Sequence, residues 1–136
     1  MDDSPDTKVS IGCTTRKAHD GLHTSIIDNS VRDRFEVLVD DKVIGWQPYR
    51  RYKNHIVLMG TEIDPQWRGR GVSSVLIDGV LELIGSAGRT VVPRCKLTGD
   101  YIFRHAQYTD LVTDQYRMLV RPISRPGGEQ PPETTA

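Results

Sequence analysis

The stretch Gln66-Trp67-Arg68-Gly69-Arg70-Gly71-Val72 decides the fold, because it lies between an apolar, strand-like run and a long amphipathic helix. Glycines at positions 69 and 71 allow backbone conformations that other residues rarely adopt, so successive N–H groups can point into one concavity. The N-terminus of the following helix adds unsatisfied N–H groups and a positive dipole, and Arg68 and Arg70 add charge. The turn therefore predicts a phosphate-binding site, although short glycine patterns also occur in ordinary basic turns.

The segments on either side of this turn predict an α/β crossover unit. Residues 54–63 read as a strand, whose two-residue period puts Ile56, Leu58, Gly60 and Glu62 on one face. Residues 72–84 have apolar side chains at helical spacing, with Gly79 on the same stripe where it permits close approach to a sheet. Gly85 and Gly88 end this helix, and residues 90–93 are again strand-like. The order strand, turn, helix, strand is typical of a crossover between parallel strands.

The rest of the folded region predicts a mixed, largely antiparallel sheet flanked by helices. Residues 34–39 alternate apolar and polar side chains, Asp40-Asp41 turns, and residues 43–49 return as the second strand of a hairpin. Residues 1–26 and 121–136 lack apolar periodicity and are predicted to be unstructured. The prediction is a single α/β domain over residues 27–120.

Composition limits the classes of partner. The chain has 136 residues, with 18 basic and 18 acidic side chains, which gives no charge excess for nucleic acid or an anionic membrane. No apolar run approaches a membrane span, and the acidic N-terminus lacks the basic region of a secretory signal, so we expect a cytoplasmic protein. Cys13 and Cys95 are then expected to be free thiols. The sequence is compatible with a monomer or a homodimer.

The glycine turn matches neither common nucleotide motif. A Walker loop needs Gly-Lys-Ser/Thr, and the dinucleotide fingerprint needs a third glycine near position 74, where Ser74 stands. Coenzyme A is the remaining common ligand with a pyrophosphate.

Four blocks in the same order resemble a known family. The Gln66-x-x-Gly69-x-Gly71 pattern is similar to the Gln/Arg-x-x-Gly-x-Gly/Ala motif of the GNAT superfamily of acyl-CoA N-acyltransferases. Residues 34–112 resemble a short, single-domain branch often labelled YjdJ-type. The matching blocks are Gly60-Thr61-Glu62-Ile63, Arg68-Gly69-Arg70-Gly71, Val91-Val92-Pro93-Arg94-Cys95 and the segment from Tyr101 to Val112. The histidine that this branch has before Thr-Glu is Gly60 here, and its Pro-Glu is Ala106-Gln107.

The resemblance implies transfer of an acetyl group from acetyl-CoA to an amine acceptor, a small amine or a protein lysine. The sequence does not identify this acceptor, and a polyamine or an antibiotic is equally open. It implies that the cofactor contacts the strand end and the turn, through Ile63, Arg68, Gly69, Arg70, Gly71, Val72 and Ser73. The pantetheine arm would lie in a notch where this strand separates from the next, and a bulge at Gly60 could produce that separation.

The resemblance also gives two candidate catalytic residues. Glu62 is the candidate general base, and its alternative is an exposed carboxylate or the partner of an arginine. Cys95 could accept an acetyl group, donate a proton to the leaving thiolate, or only line the pocket. Phe103 stands where many family members have a tyrosine proton donor, so the donor is unassigned.

Two other functions stay open at this point. A module that binds CoA or acetyl-CoA with little transferase activity, as a sensor or interaction protein, fits the missing histidine and Phe103. A phosphate- or nucleotide-binding protein of another fold would require that the crossover unit be misassigned.

Overall fold

The computed structural model describes residues 10–17 and 21–123. These residues form seven strands and two α-helices, in chain order β1 Cys13–Lys17, β2 His23–Asn29, β3 Arg34–Val39, β4 Lys42–Tyr52, β5 His55–Leu58, β6 Glu62–Ile63, α1 Val72–Ser86, β7 Thr90–Pro93 and α2 Lys96–Arg104. Short 3-10 helices lie at Pro65–Trp67, Ala106–Leu111 and Asp114–Leu119.

The strands form one sheet in the order β1-β2-β3-β4-β5-β7, and β6 pairs with β4 beyond the end of β5. All neighbours are antiparallel except β5 and β7, which run parallel on either side of the α1 crossover. Asp40 and Asp41 turn the predicted hairpin with φ of 51° and 66°, the left-handed conformation that tight two-residue turns require. The predicted mixed, largely antiparallel sheet with flanking helices is confirmed.

The N-terminal part of the sheet differs from the prediction for residues 1–26. Cys13–Lys17 and most of His23–Asn29 fall inside this segment and form paired strands, so the folded domain begins before residue 27. The inward positions of β2 include two polar residues, Thr24 and Asp28. Thr24 Oγ1 donates to the Arg16 carbonyl at 2.9 Å, and Asp28 accepts from Ile11 N at 2.7 Å. These hydrogen bonds make the burial of the two polar side chains tolerable. Because polar residues occupy inward positions, the apolar alternation that predicts a core strand is absent from this part of the sequence. Residues 1–9 and 18–20 lie outside the described part of the chain.

Helix α1 covers one face of the sheet and carries much of the core. A Cβ at Gly79 would lie 3.0 Å from Ile26 Cγ1, so the glycine permits the predicted close approach to the sheet. Leu76, Val80 and Ile84 on the same stripe are fully buried, and a side chain of this size contributes about 1.5–3 kcal/mol when buried. The helix continues through Gly85 to Ser86, and Gly88 follows it with a φ of 73°.

The C-terminal segment packs first against β5 and then against α2. Tyr116 packs edge-on against His55 at 5.3 Å between ring centroids, and the chain then reaches α2. There Asp100 Oδ1 accepts a hydrogen bond from Ile123 N at 3.1 Å. Residues 121–123 of the predicted unstructured tail, residues 121–136, are thus held against α2, and residues 124–136 lie outside the described range. Neither helix in the described ranges is long and apolar enough to span a membrane.

Candidate functional site

The glycine turn has the backbone conformation that the sequence predicts. Asp64 caps the short helix Pro65–Trp67 by accepting from Gln66 N at 3.0 Å, which sets the direction in which the chain enters the turn. Gly69 and Gly71 then adopt φ of 80° and 79°. This left-handed conformation is costly for residues that carry a Cβ. The two glycines therefore reverse the chain into α1 within a few residues.

Among the described residues no side chain caps the N-terminus of α1, so this end of the helix can receive an anion. Gly71 is its N-cap, no side chain caps the first turn by a hydrogen bond, and no acidic residue lies in that turn. The N–H groups of Val72 and Ser73 therefore have no partner within the helix. Arg68 and Arg70 are exposed beside them, where Arg68 Nε donates to the Ile63 carbonyl at 3.2 Å and the Arg70 guanidinium lies 4.7 Å from the Trp67 ring centroid. The turn thus brings together the predicted cofactor-binding residues in an arrangement that fits a pyrophosphate.

A notch opens between β6 and β7. Strand β5 pairs with β7 up to Leu58 and Pro93, after which β6 pairs only with β4. Asp64 N donates toward β4, to the Ile44 carbonyl at 2.8 Å. Because N–H groups alternate in direction along a strand, the Ile63 N–H points away from β4 and into the notch. An extended ligand can therefore find an unpaired backbone donor there.

Residues 59–61 form a β-bulge that changes the face on which Glu62 lies. Strand β4 advances three residues from Trp46 to Tyr49, while the partner chain uses four, from Glu62 back to Leu58. The extra residue reverses the alternation of side chains. Glu62 consequently shares a face with Trp46, opposite Leu58, and the sequence prediction of one common face fails. The Glu62 side chain is exposed, and within the described ranges it forms no ion pair.

Cys95 belongs to a buried polar cluster on the α1 side of the sheet. Cys95 Sγ lies 3.2 Å from Thr61 Oγ1, and Gln47 Nε2 donates to Thr61 Oγ1 at 3.3 Å and to Thr98 Oγ1 at 2.7 Å. Gln47 and Thr98 are fully buried, and Cys95 is 6% exposed. Cys95 is also the N-cap of α2, where the helix dipole favours negative charge. The structure thus joins Cys95 to Thr61 but leaves Glu62 on the other face.

Sequence reasoning missed Gln47, Thr61 and Thr98 as members of this cluster. The available signal was Gln47, a polar residue that alternates in phase with buried Gly45 and Tyr49 along β4. The Oε1 atom of Gln47 is buried without a hydrogen-bond donor in the described chain. A buried unsatisfied acceptor is uncommon in proteins and often marks a functional position.

The tyrosines near α2 do not face the notch. Tyr101 and Tyr108 both donate to Asp78 Oδ1, at 3.0 and 2.6 Å, and Arg16 Nε binds Asp78 Oδ2 at 2.7 Å. Burial and the hydrogen bond to Asp78 raise the pKa of Tyr108 to about 12. Burial opposes ionisation of Asp78, but the bonds from Tyr108, Arg16 and Tyr101 outweigh it and lower the pKa of this carboxyl. These groups tie β1, α1 and α2 together.

Two further side chains lie at the end of α2, where the resemblance places a proton donor in many family members. Phe103 is 53% exposed. His105 stacks on Tyr101 at 3.9 Å between ring centroids, and its Nδ1 lies 2.8 Å from the Tyr101 carbonyl. The exposure of Phe103 and the contacts of His105 do not link either residue to Cys95.

The sheet, its parallel crossover strand and the glycine turn at the start of the crossover helix define an acyltransferase fold of the GNAT class. A family model of GCN5-related N-acetyltransferases matches residues 34–111, more than half of the chain, and the protein belongs to this family. The superfamily predicted from the glycine motif is thereby confirmed, and the chain carries an acetyltransferase domain. A search of curated proteins gave no match.

Proposed function

We propose that the protein transfers an acetyl group from acetyl-CoA to an amine. The observation that carries the proposal is the uncapped N-terminus of α1, reached through two left-handed glycines and placed at the mouth of the notch. Bound acetyl-CoA supplies a thioester whose acetyl group can be transferred. The residues that hold it are those of the turn, because their N–H groups and the charges of Arg68 and Arg70 match a pyrophosphate.

Ile63 has the role of polarising the thioester carbonyl. Its N–H projects into the notch from a strand that β4 holds in place, so the donor is oriented before the ligand arrives. A preorganised donor of this kind stabilises negative charge that develops on oxygen. The buried Gln47 Oε1 supports the same pocket by offering an acceptor to a ligand N–H.

Cys95 is proposed to protonate the departing sulfur. The Thr61 hydroxyl can accept from Gln47 and still donate to the Cys95 sulfur, because a hydroxyl has one proton and two lone pairs. It therefore holds the side chain in one orientation and stabilises the thiolate that remains after proton transfer. The N-terminus of α2 acts in the same sense.

Glu62 is proposed to take the proton of the attacking ammonium, directly or through water. Its exposure and its lack of an ion pair among the described residues leave the carboxylate available from the open face of the sheet. In the complete reaction an N–C bond forms and the C–S bond breaks. One ammonium proton passes to Glu62 before attack, and the leaving sulfur receives the thiol proton of Cys95. The second proton that the nitrogen loses after attack returns to the Cys95 thiolate, so the cysteine is regenerated.

The test begins with calorimetric titration of the protein with acetyl-CoA and with CoA, followed by a thiol-release assay over a panel of amines. We expect both ligands to bind and at least one amine to be turned over. Absence of binding to both ligands would defeat the proposal.

Three variants separate the residue roles. Glu62→Gln is expected to remove the acidic limb of the pH–rate profile. Cys95→Ser should slow turnover without a stable acetyl-enzyme, and Thr61→Val, which keeps the shape but removes the hydroxyl, should slow it by about tenfold or more. Full activity of Cys95→Ser would reduce this cysteine to a pocket-lining residue.

The second candidate function is a CoA- or acetyl-CoA-binding module with little transferase activity. The observation that favours it is Phe103, which stands where many family members have a proton-donating tyrosine, while Tyr101 and Tyr108 are committed to Asp78. Tight binding with no turnover of any amine would select this function. The proposed branch within the superfamily remains the short YjdJ-type, on the strength of the four sequence blocks.

A further inference from the structure

A cavity of about 470 Å³ lies between the end of β7, the first residue of α2 and the segment 119–123. Its volume is in the range that suits a small-molecule ligand. Three of its described lining side chains are cationic, Arg94, Lys96 and Arg121, and the other described ones are apolar. We call it the basic cavity.

In the part of the chain that the structure describes, the basic cavity has no acidic counterpart of its own. Within residues 10–17 and 21–123 no carboxylate lines it, and none of the three cations forms an ion pair. The acidic residue that contacts its wall is Asp100, whose carboxylate already accepts from Arg104 Nε at 3.0 Å and from Ile123 N at 3.1 Å. Three neighbouring positive charges repel one another, so a bound anion is favoured.

The wall formed by the C-terminal segment is held in place by α2. Gly99 faces the Leu119 carbonyl so closely that a Cβ would overlap it. The hydrogen bond from Ile123 N to Asp100 fixes the same segment further along. The position of Arg121 opposite Arg94 and Lys96 therefore follows from backbone packing.

The basic cavity lies at the junction of β7 and α2, which also contains Cys95. Arg94 and Lys96 flank Cys95, whose sulfur faces Thr61 in the notch. The turn that suits the cofactor's pyrophosphate follows β6, whereas Arg94 and Lys96 follow β7. An anion held by these cations would thus lie at a different strand end from the cofactor's pyrophosphate.

We propose that the basic cavity binds the carboxylate or phosphate of the acetyl acceptor, so that the substrate is a small amine with an anionic group. The inference rests on the proposed function and specifies its substrate class. Arginine suits this task because its planar guanidinium binds a carboxylate or a phosphate in a bidentate manner. The same charges disfavour polyamines.

The test compares matched acceptors, γ-aminobutyrate with butylamine and phosphoethanolamine with ethanolamine. We expect kcat/KM to be about tenfold or more higher for the anionic member of each pair. The variant Arg94→Gln/Lys96→Gln/Arg121→Gln should abolish that preference. The control Arg32→Gln/Lys42→Gln/Arg50→Gln, which removes the same charge from exposed positions outside the cavity, should keep it. Equal kcat/KM for both members of each pair would overturn the proposal while leaving acetyl transfer intact.

Two binding measurements complete the test. In ¹H–¹⁵N NMR spectra, γ-aminobutyrate and phosphoethanolamine should shift the amides of residues 94–96 and 121–123, and the neutral amines should not. If no amine is acetylated, this titration decides: shifts at these amides support an anion site, and their absence overturns it. Titration with CoA and dephospho-CoA tests whether the cations bind the 3′-phosphate of the cofactor and not the anionic group of the acceptor. If the triple variant of Arg94, Lys96 and Arg121 binds CoA more weakly but binds dephospho-CoA as the parent does, the cations bind the cofactor's 3′-phosphate and the acceptor proposal fails.

Discussion

Replacing Gly69 and Gly71 by alanine tests the cofactor site most directly. Both residues have φ near 80°, a conformation that costs a residue with a Cβ about 1–2 kcal/mol. A Cβ at Gly69 would meet no atom within 4 Å, so the penalty there arises from the backbone and not from a clash. If the free turn relaxes to avoid the strain, binding must restore the left-handed conformation at both positions.

The expected loss of affinity follows from that cost. Two penalties of about 1–2 kcal/mol sum to roughly 2–4 kcal/mol, which corresponds to about 30- to 1,000-fold in Kd. Calorimetric titration with acetyl-CoA and CoA measures this loss, and urea unfolding shows how much strain remains in the free protein.

Gly88→Ala is the matched control. Gly88 has a φ of 73°, its Cβ would also meet no atom within 4 Å, and it lies at the opposite end of α1. This variant should lose stability by a similar backbone cost and keep its affinity for acetyl-CoA. The reasoning is refuted if the double variant binds within about twofold of the parent, or if Gly88→Ala weakens binding equally.

Three other changes test the packing around the site. Gly45→Ala would place a Cβ 2.7 Å from Ile63 Cδ1, and we expect overpacking to lower the free energy of unfolding by about 1–3 kcal/mol. Gly60→Ala, whose Cβ meets no atom within 4 Å, is its control in urea denaturation, and equal losses would contradict the steric explanation. Asp78→Ala removes the acceptor of three side chains and should cost roughly 3 kcal/mol in the same assay; a loss below about 1 kcal/mol would show that the cluster is not structural. Folding raises the pKa of Tyr108 to about 12, so its hydrogen bond to Asp78 contributes fully to the free energy of unfolding below pH of about 10, and this contribution is lost as the pH approaches 12. In Tyr108→Phe the free energy of unfolding should therefore depend less on pH over that interval, and an unchanged slope would count against the hydrogen bond.

Local signals made the turn and the crossover predictable from sequence. Gly69 and Gly71 act through their own backbone conformation, and the apolar stripe of α1 follows helical spacing without regard to distant residues. The same holds for the hairpin at Asp40 and Asp41. Each of these features depends on a few consecutive residues.

Features that depend on pairing between distant residues were not predictable. The burial of Thr24 and Asp28 requires hydrogen bonds to other segments, so β2 lacks an apolar period. The Gln47 cluster joins residues as far as 51 positions apart. Gly60 indicated a possible bulge, but the face of Glu62 became defined only through the register with β4.

The bulge at residues 59–61 fixes the length of a segment that has the appearance of a loop. Loops usually tolerate insertion and deletion, but here each added or removed residue would exchange the two faces of β6. Loss of a single residue from this segment would turn the Glu62 carboxylate toward the core and Ile63 outward, although neither of these two residues had been substituted. Natural variants of this protein should therefore change the chemistry of these positions more readily than their number.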